Sequence, residues 1–381
     1  MGAFALGASQ NRVKIRVLEV LASLRRGGAE RVAVSLARGL DRDVFQIEVA
    51  ALFDASPGDF EPLLHAAAIP VHRLGKRRGF DARIFGRLAG VMRAFRPHVV
   101  HTHSYILRYA WPARSLSGGG SIVHTVHNLA PREGGRLGVW IHRLAMRAGV
   151  CSVAVSDEVA RSYAQTYGRP VERIIPNGID LAPFVQPPQG VWRREHGFRD
   201  EERLVVSVAR LDPQKNPLKL IDAFAAALGN NTEWHLVMAG DGSLREEAMR
   251  RAASLHLKSR VHFPGVVERV ETLLADADVF ALASDWEGLP VALIEGMACG
   301  LPVVATAVGG VPELVEHQVT GMIVPPGNGG ALAQAFTELA QNPALRRQLG
   351  AAARAKAMEF GLERMLVPYA RLFESIARGA Q

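Results

Sequence analysis

Residues 284–295 read SDWEGLPVALIE and join the short apolar run Val279–Leu282 to an apolar helical pattern. This arrangement predicts a strand, a polar turn and a helix in succession. Glu287 lies in the turn, and Glu295 lies about one turn into the helix if the helix begins near Leu289. Both carboxylates can then face the same cleft.

The start of this helix is a second chemical feature. The backbone N–H groups of Leu289, Val291 and Ala292 would lie at a helix N-terminus, which favours the binding of an anion. Carboxylates beside an anion site suit a ligand with both hydroxyls and phosphates, such as a nucleotide sugar. The spacing is equally compatible with two ordinary glutamates that stabilise the helix dipole, and both interpretations stay open on spacing alone.

Strand and helix patterns alternate in this way along almost the whole chain, which favours parallel sheets covered by helices. The strands predicted in the first half are Lys14–Leu21, Phe45–Leu52, Pro70–Leu74, His98–His101, Ser121–Val126, Cys151–Val155 and Val171–Ile175. Those in the second half are Leu204–Ala209, Trp234–Ala239, Val261–Phe263, Val279–Leu282, Pro302–Ala305 and Gly321–Val324. The clearest helix is Arg83–Phe95, with Asp81 as its N-cap, and the tail from Leu332 onward is predicted to be helical.

A proline-rich segment divides the two series. Pro183 to Gly190 contains three prolines and two glutamines, which predicts a linker. The sequence therefore predicts two doubly wound α/β domains that face each other across a cleft. Ligands of such sheets bind at the carboxyl ends of the strands, so the strand-to-helix turns are the candidate site.

Composition narrows the class of partner. Lysine and arginine total 45 against 37 for aspartate and glutamate, and the resulting net charge of +8 favours anionic partners. The chain lacks the basic segments interleaved with aromatic residues that single-strand nucleic-acid binders use, so we expect no specific nucleic-acid partner. Cys151 and Cys299 lie far apart in apolar surroundings, which predicts buried thiols in a reducing compartment and excludes a multi-cysteine zinc site.

The sequence also bears on location. The first nine residues are too short and lack the basic lead of a signal peptide, and Leu6 breaks the N-myristoylation pattern. The longest uncharged run, Gly296 to Pro312, is interrupted by glycine and proline and does not resemble a membrane span. We therefore expect a cytoplasmic protein. The alternative is a protein attached peripherally to the inner face of the cytoplasmic membrane.

A basic segment is the feature that could support such attachment. From Arg73 to Arg96 there are eight basic residues and one acidic residue, Asp81. They form either an ordinary solvated face over a packed helix or a patch that rests on anionic lipid.

Several motifs together carry a family resemblance. The segment 284–295 fits an E-x7-E pattern from Glu287 to Glu295. The others are GGAE at residues 27–30, IPNGID at 175–180, GDG at 240–242, MACGLPVVAT at 297–306, GGVPE at 309–313 and GMIVPPG at 321–327. In this order, from about residue 13 to 375, they resemble the signature of glycosyltransferase family 4, the retaining GT-B enzymes.

The resemblance implies a GT-B fold with two Rossmann-like domains. The acceptor-side domain would span residues 1–182 and the donor-binding domain residues 183–359. A C-terminal helix, about residues 360–381, would cross back to the first domain.

The resemblance also implies roles for four charged residues. Arg210 and Lys215 match an R-x4-K pair whose cations hold the donor diphosphate, and such charges stabilise a departing diphosphate without a metal. Glu295 matches the residue that accepts hydrogen bonds from the ribose, and Glu287 the one that orients the transferred sugar. The departing diphosphate would itself act as the base, so no cofactor and no required metal are expected.

The remaining donor-side positions come from turns. Gly27 and Gly28 match a turn close to the donor phosphates, although glycines can also serve a tight turn alone. The other donor-binding matches are Gly240, Gly242, Val266, Leu289, Pro290 and Val291.

Histidines complete the predicted site. His127 matches a residue that faces the sugar and the diphosphate as a hydrogen-bond donor rather than a general base. His101 and His103 are candidates on the acceptor side. Each of these histidines is also compatible with a purely structural role, which is the more frequent role for a single histidine.

The predicted function is that of a retaining hexosyl- or N-acetylhexosaminyltransferase. The donor would be a nucleoside-diphosphate sugar, with a UDP-sugar favoured and GDP-mannose as the other candidate. The acceptor would be a hydroxyl of a cell-envelope, polysaccharide or lipid-linked saccharide. The alternatives are a nucleotide-sugar epimerase of the same fold and a non-catalytic module that binds sugar or nucleic acid.

Overall fold

The computed structural model describes residues 13–133 and 135–379. The nine N-terminal residues considered above, the start of the predicted first domain and the last two residues of the predicted C-terminal helix lie outside this range.

Thirteen parallel strands form two sheets, and each strand coincides with one that the apolar runs predict. Buried parallel strands are apolar on both faces, which is why continuous apolar runs identify them. The strands are β1 (Ile15–Leu21), β2 (Phe45–Ala51), β3 (Val71–Arg73), β4 (Val99–His103), β5 (Ser121–Val126), β6 (Cys151–Ala154), β7 (Arg173–Ile174), β8 (Arg203–Val208), β9 (Trp234–Ala239), β10 (Val261–Gly265), β11 (Val279–Leu282), β12 (Val303–Thr306) and β13 (Gly321–Val324).

Helices follow most of the strands and cover both faces of each sheet. They are α1 (Gly28–Gly39), α2 (Glu61–Ala66), α3 (Arg83–Phe95), α4 (Leu107–Ser117), α5 (Gly135–Arg147), α6 (Asp157–Tyr167), α7 (Ala182–Val185), α8 (Val191–His196), α9 (Pro217–Leu228), α10 (Arg245–Ser254), α11 (Val270–Ala275), α12 (Val291–Ala298), α13 (Val311–Leu314), α14 (Gly329–Gln341), α15 (Pro343–Ala357) and α16 (Leu362–Gly379).

The two sheets have the same strand order. The first runs β3-β2-β1-β4-β5-β6-β7 and the second β10-β9-β8-β11-β12-β13. Both contain the doubly wound order 3-2-1-4-5-6, in which the direction of winding reverses beside the first strand. This reversal opens a crevice at the carboxyl ends of β1 and β4 in one sheet and of β8 and β11 in the other. The predicted pair of doubly wound domains is confirmed.

The last helix packs on the first sheet. In α16, Phe373 meets Phe45 of β2 edge to face at 6.5 Å, and Tyr369 is buried beside His101 of β4. Leu366 contacts Gly39 at the end of α1, where an added Cβ would overlap the leucine side chain. The first sheet ends at Ile174 and the second begins at Arg203, so the boundary predicted at residues 182 and 183 falls between them and stays a prediction.

Two local predictions differ from the structure, and one on α3 is confirmed by its capping contact. Ala82 precedes the first residue of α3, but it is the Asp81 carboxylate that accepts a hydrogen bond from the Arg83 N–H, at 3.2 Å, and it also pairs with the Arg83 guanidinium at 2.7 Å. The predicted linker contains the short helix α7, because Phe184 is buried and anchors the segment. Cys151 and Cys299 are half-buried, and burial raises the pKa of their thiols to about 11 and about 12.

No helix within residues 13–133 and 135–379 is both long enough and apolar enough to span a membrane.

Candidate active site

The two crevices contact each other directly. Gly28 and Val291 are the first residues of α1 and α12, and a Cβ added to Gly28 would lie 3.8 Å from Val291 Cγ2. A Cβ on Gly288 would overlap the carbonyl oxygen of His127, so glycine is needed for this close approach. Asn177 Nδ2 also donates a hydrogen bond to the Leu289 carbonyl at 2.8 Å. The turns after β1, β5 and β11 therefore meet at one place.

Glu287 and Lys215 form a buried ion pair at this place. Glu287 is 4% exposed, and its Oε1 accepts hydrogen bonds from Lys215 Nζ at 2.5 Å and from Ser284 Oγ at 2.6 Å. The Lys215 side chain is 17% exposed. An ammonium has three N–H donors, so Lys215 can hold Glu287 and still donate to an anionic ligand.

Arg210 lies on the same turn as Lys215 but in different surroundings. Its side chain is 60% exposed and contacts Asp212 at 2.9 Å and Gln214 at 3.2 Å. Across the cleft lies Glu30 of α1, whose pKa is raised by burial and lowered again in part by the charge of Arg210. Arg210 follows β8, one of the two strands at the switch point of the second sheet, and its charge acts on Glu30 in the first turn of α1.

Glu295 is buried away from Glu287 and has a different partner. Its carboxylate forms an ion pair with Arg31 of α1, which joins the two domains. Burial raises the pKa of Glu295, and the charge of Arg31 opposes that rise. The helix begins at Val291 rather than near Leu289, so Glu295 is its fifth residue. The N–H groups of Val291 and Ala292 therefore belong to the first turn of the helix, whereas that of Leu289 precedes it. The two glutamates lie in one cleft region but make separate contacts.

The donor-side glycines have structural explanations. Gly240 has a φ of 143°, and a Cβ there would overlap the Ala209 carbonyl oxygen. A Cβ on Gly242 would overlap the carbonyl of Leu211, whose N–H donates to Asp241 at 3.0 Å. These glycines let the turn after β9 pack on the turn that carries Arg210, and their predicted contact with a donor stays a prediction.

The other turn positions are open. Gly27 is the N-cap of α1 and has an extended backbone, so its backbone does not require glycine, but an added Cβ would overlap the Glu30 carboxylate, which would have to move. Val266, one residue after β10, is 55% exposed and accessible to a ligand. Pro290 is the N-cap position of α12.

The three predicted histidines form one chain with Glu19, a residue of β1. His101 Nδ1 lies 3.0 Å and His103 Nε2 2.9 Å from Glu19 carboxylate oxygens, and His103 Nδ1 lies 2.8 Å from His127 Nε2. His101 and His103 are 0% and 2% exposed, so in this conformation neither has an exposed edge for an acceptor. His127 is half-buried and remains the histidine that can reach a ligand.

Burial and charge set the ionisation of this chain. Burial raises the pKa of Glu19, but the charges and hydrogen bonds of His101 and His103 outweigh it and lower that pKa to about 2. Burial lowers the pKa of His103 to about 4 and that of His127 well below its usual value. Glu19 is therefore ionised at neutral pH, and His103 and His127 are neutral.

Glu133 fixes the backbone beside His127. Its Oε1 accepts from the N–H groups of His127 at 2.7 Å and Asn128 at 3.1 Å. Burial raises the pKa of Glu133 to about 7.

Sequence analysis missed Glu19, Arg31, Ser284 and Glu133. Ser284 was the easiest of them to predict from the sequence, because it lies three residues before Glu287 in the same turn. Glu19, His101 and His103 are also the one group in the described chain whose donor atoms are close enough to hold a metal ion. Their separations are those of hydrogen bonds, and the expectation of a metal-independent site stays a prediction.

Solved structures of similar fold support the two-domain architecture. The structure of HepE from Anabaena in complex with UDP-glucose matches with a TM-score of 0.83 and 23% identity, over 95% of this chain and 100% of that one. The fold is GT-B, as the resemblance implied.

Comparison of sequences identifies the class. A family described as Glycosyltransferase Family 4 matches residues 26–183, and one described as Glycosyl transferases group 1 matches residues 189–356. A D-inositol 3-phosphate glycosyltransferase of Geodermatophilus obscurus is 29% identical over 90% of this chain and 83% of its own length. An Escherichia coli UDP-Gal:alpha-D-GlcNAc-diphosphoundecaprenol alpha-1,3-galactosyltransferase is 26% identical over 83% and 85%.

The fold, the cleft and these relatives define a GT-B glycosyltransferase. The chain belongs to glycosyltransferase family 4. The alternatives of an epimerase and a non-catalytic binding module are therefore set aside.

Proposed function

We propose that this glycosyltransferase moves a sugar from a nucleoside-diphosphate sugar to an acceptor hydroxyl with retention of configuration. A UDP-sugar is the favoured donor and GDP-mannose the other candidate. The observation that carries the proposal is the position of Lys215, Glu287 and Arg210 where the switch points of both sheets meet. HepE was solved with UDP-glucose and the E. coli relative is named for a UDP-galactose donor, which supports the choice of UDP.

The charges suit departure of a diphosphate. The bond to the anomeric carbon breaks as negative charge develops on the leaving phosphate oxygen. Lys215 and Arg210 would stabilise this charge, together with the N-termini of α1 and α12, whose first residues meet across the cleft. In the retaining course that the family resemblance implies, the leaving diphosphate accepts the proton of the acceptor hydroxyl on the same face.

Carboxylates would position the rest of the donor. Glu287 is held by Lys215 and Ser284, so its carboxylate is oriented before a ligand binds, which favours a role beside the reacting carbon. Glu295 lies in the second turn of α12 and would accept hydrogen bonds from the ribose. To do so it must share its carboxylate with Arg31 or release it.

We propose that the reaction needs no metal ion. Two cations close to the diphosphate can supply the charge stabilisation that a divalent ion would otherwise give. With a donor that the enzyme uses, EDTA should leave most of the initial rate intact. Complete loss of the rate, restored by Mg²⁺ or Mn²⁺, would contradict this expectation.

We propose a cell-envelope, polysaccharide or lipid-linked saccharide as the acceptor. The support is the family resemblance and the E. coli relative, whose name specifies a diphosphoundecaprenol-linked substrate. A lipid-linked acceptor would place the enzyme at a membrane surface.

A donor panel tests the proposed reaction. Purified enzyme would be incubated with UDP- and GDP-sugars, with and without a membrane extract as acceptor, and release of nucleoside diphosphate would be measured. We expect one nucleotide class to be used, with release stimulated by the extract. The anomeric configuration of the product, determined by NMR, tests retention. An inverted product, or no release with any donor, would contradict the proposal.

A further inference from the structure

An unbroken chain of buried polar side chains runs from the C-terminal helix to His127. Tyr369 of α16 lies 2.7 Å from Thr125 Oγ1, which lies 2.8 Å from His101 Nε2. His101 and His103 both contact Glu19, and His103 contacts His127 as described above. Glu19 is directly opposite His101 in the pairing of β1 with β4, and His103 lies two residues on along the same face.

The direction of each hydrogen bond follows from Glu19. An ionised carboxylate can only accept, so His101 Nδ1 and His103 Nε2 must both carry protons. Burial at 2% exposure disfavours the charged form of His103 and lowers its pKa to about 4 in spite of the contact with Glu19, so at neutral pH its Nδ1 holds a lone pair. His127 Nε2 must therefore be the donor in the 2.8 Å contact with His103.

The other ring nitrogen of His127 is then determined as well. A neutral imidazole has one proton, and this proton is on Nε2. Among the described residues, no group forms a hydrogen bond with Nδ1 of His127. Glu133 accepts a hydrogen bond from the backbone N–H of His127, and His103 contacts its ring at Nε2, so the backbone and one ring nitrogen are both held.

We infer that Glu19 is a positioning residue that acts through His103 to keep Nδ1 of His127 unprotonated, so that His127 accepts a hydrogen bond from a substrate hydroxyl. This inference deepens the proposed function and rests on it for the identity of the ligand. It reverses the expectation that His127 is a donor. A phosphate oxygen has no proton to give at neutral pH, so the partner of Nδ1 is a hydroxyl of the transferred sugar or of the acceptor, rather than the diphosphate.

The first test observes the protons in the free enzyme. Long-range ¹H–¹⁵N correlation spectra of protein labelled at histidine show which ring nitrogen carries the proton, and comparison with a His127→Asn spectrum assigns the signals. At pH 7 we expect His127 to be protonated at Nε2 alone. A proton on Nδ1, alone or together with Nε2, would overturn the inference, whatever the donor panel shows.

The second test removes the carboxylate. In Glu19→Gln one carboxylate oxygen is replaced by an NH2 group, which only donates. The histidine that faces this group must accept where it now donates, and if that histidine is His103 the order of protons reverses as far as His127. We expect a population of His127 with its proton on Nδ1, and a turnover lowered roughly tenfold, the scale of one hydrogen bond. Tyr163→Phe is the matched control, because it removes a buried hydroxyl bonded to Ser152 at 2.6 Å in the same domain but outside the chain.

The kinetic pattern distinguishes the two hydroxyls. If Nδ1 binds the transferred sugar, Glu19→Gln should slow hydrolysis of the donor without acceptor as much as it slows transfer. If Nδ1 binds the acceptor, transfer alone should be slowed, with a raised KM for the acceptor. Wild-type kinetics and an unchanged His127 spectrum in Glu19→Gln would overturn the role of Glu19. Should this variant not fold, the wild-type spectrum still decides the proton order.

Discussion

Arg210 and Lys215 are five residues apart on one turn, but the structure gives them unequal surroundings. Arg210 is largely exposed, whereas Lys215 is mostly buried and holds Glu287. Removal of either should cost the transition state a charge partner, which lowers turnover by roughly 10²–10³-fold. Only Lys215 should also affect folding, because its loss leaves the buried Glu287 with Ser284 as its remaining polar partner.

We therefore expect Arg210→Ala to lose turnover at a nearly unchanged free energy of unfolding. Lys215→Ala should lose turnover and also about 3 kcal/mol of stability, since it breaks a buried ion pair by removing one partner. Both quantities can be measured by nucleoside diphosphate release and urea denaturation. Lys219→Ala is a control, because its pair with the half-exposed Asp285 should contribute less than about 1 kcal/mol.

The double variant Lys215→Ala/Glu287→Gln separates the two effects. Neutralising Glu287 removes the buried charge, so stability should recover while turnover stays low. Wild-type stability in Lys215→Ala would show that the ion pair is unimportant for folding, and wild-type turnover would remove Lys215 from the mechanism.

Substitution of Glu287 and of Glu295 should change different kinetic parameters. Glu295 is proposed to hold the ribose, which changes little during the reaction, so Glu295→Ala should raise KM for the donor more than it lowers kcat. Glu287 is proposed to orient the sugar beside the reacting carbon, so Glu287→Ala should act mainly on kcat. Steady-state kinetics of both variants with the same donor would measure this contrast.

Arg31 provides the control for Glu295. Arg31→Ala breaks the same ion pair but keeps the carboxylate, so it isolates the effect of the link between domains from that of the proposed ribose contact. If both glutamate variants changed KM alone, the assigned roles would be wrong even though the fold is right.

At the scale of strands and helices, β4, β5 and α5 bring together histidines that are neutral when folded. Burial lowers the pKa of His103 to about 4, and those of His124 and His142 to about 3. Between these values and about 6.5 the unfolded chain binds protons that the folded chain does not, so stability falls as the pH falls. Glu133 acts in the opposite direction between about 4.5 and 7, because burial raises its pKa to about 7.

Burial also lowers the pKa values of His98, His127, His235 and His262, whereas Glu30 and Glu295 join Glu133 with raised pKa values. The histidines outnumber the glutamates, so we expect the free energy of unfolding to decrease from pH 6.5 to pH 5. The slope is about 1.4 kcal/mol per pH unit for each net proton. Urea denaturation at pH 8, 6.5 and 5 measures it. In Glu133→Gln one opposing contribution is absent, so the loss of stability in acid should be steeper. A free energy that is constant or rises towards pH 5 would show that these histidines ionise normally in the folded protein.

Elements were more predictable from sequence than contacts. Apolar runs identified the thirteen strands of the described residues, because most positions of a parallel strand are covered on both faces. The rule is not strict: β4 is buried but includes His101, Thr102 and His103, and both residues of β7 are exposed. The start of α12 lies two residues after the predicted position, since several neighbouring residues satisfy the same local preferences. Glu19 and Arg31 were not recognised, because their partners are 82 and 264 residues away and only the folded sheets bring them together.

At the scale of the whole molecule, the domains meet through the site itself. Arg31 with Glu295, Asn177 with Leu289, and His127 with Gly288 all join one domain to the other within the cleft. A donor bound there would contact residues of both domains. Binding of such a donor would therefore depend on the relative position of the two domains.

The basic segment Arg73–Arg96 is less uniform than its sequence. Arg73 pairs with Asp59 at 2.8 Å, and Lys76 is buried, so neither is free to meet a membrane. Arg77, Arg78 and Phe80 are exposed on the loop between β3 and α3, with Phe80 at 72%. Two arginines beside an exposed aromatic ring suit the surface of an anionic bilayer.

We propose that this loop attaches the enzyme to anionic membranes. Co-sedimentation with phosphatidylglycerol vesicles should exceed that with phosphatidylcholine vesicles and should weaken as salt is added. Each basic residue contributes about 1 kcal/mol near such a surface, so Arg77→Glu/Arg78→Glu should lower binding by more than tenfold. Arg250→Glu/Lys258→Glu makes the same change in net charge on exposed residues of the second domain and should retain most of the binding. Equal losses in the two variants would mean that net charge alone, rather than this loop, draws the protein to the vesicles. Absence of binding by the wild type would contradict membrane attachment itself.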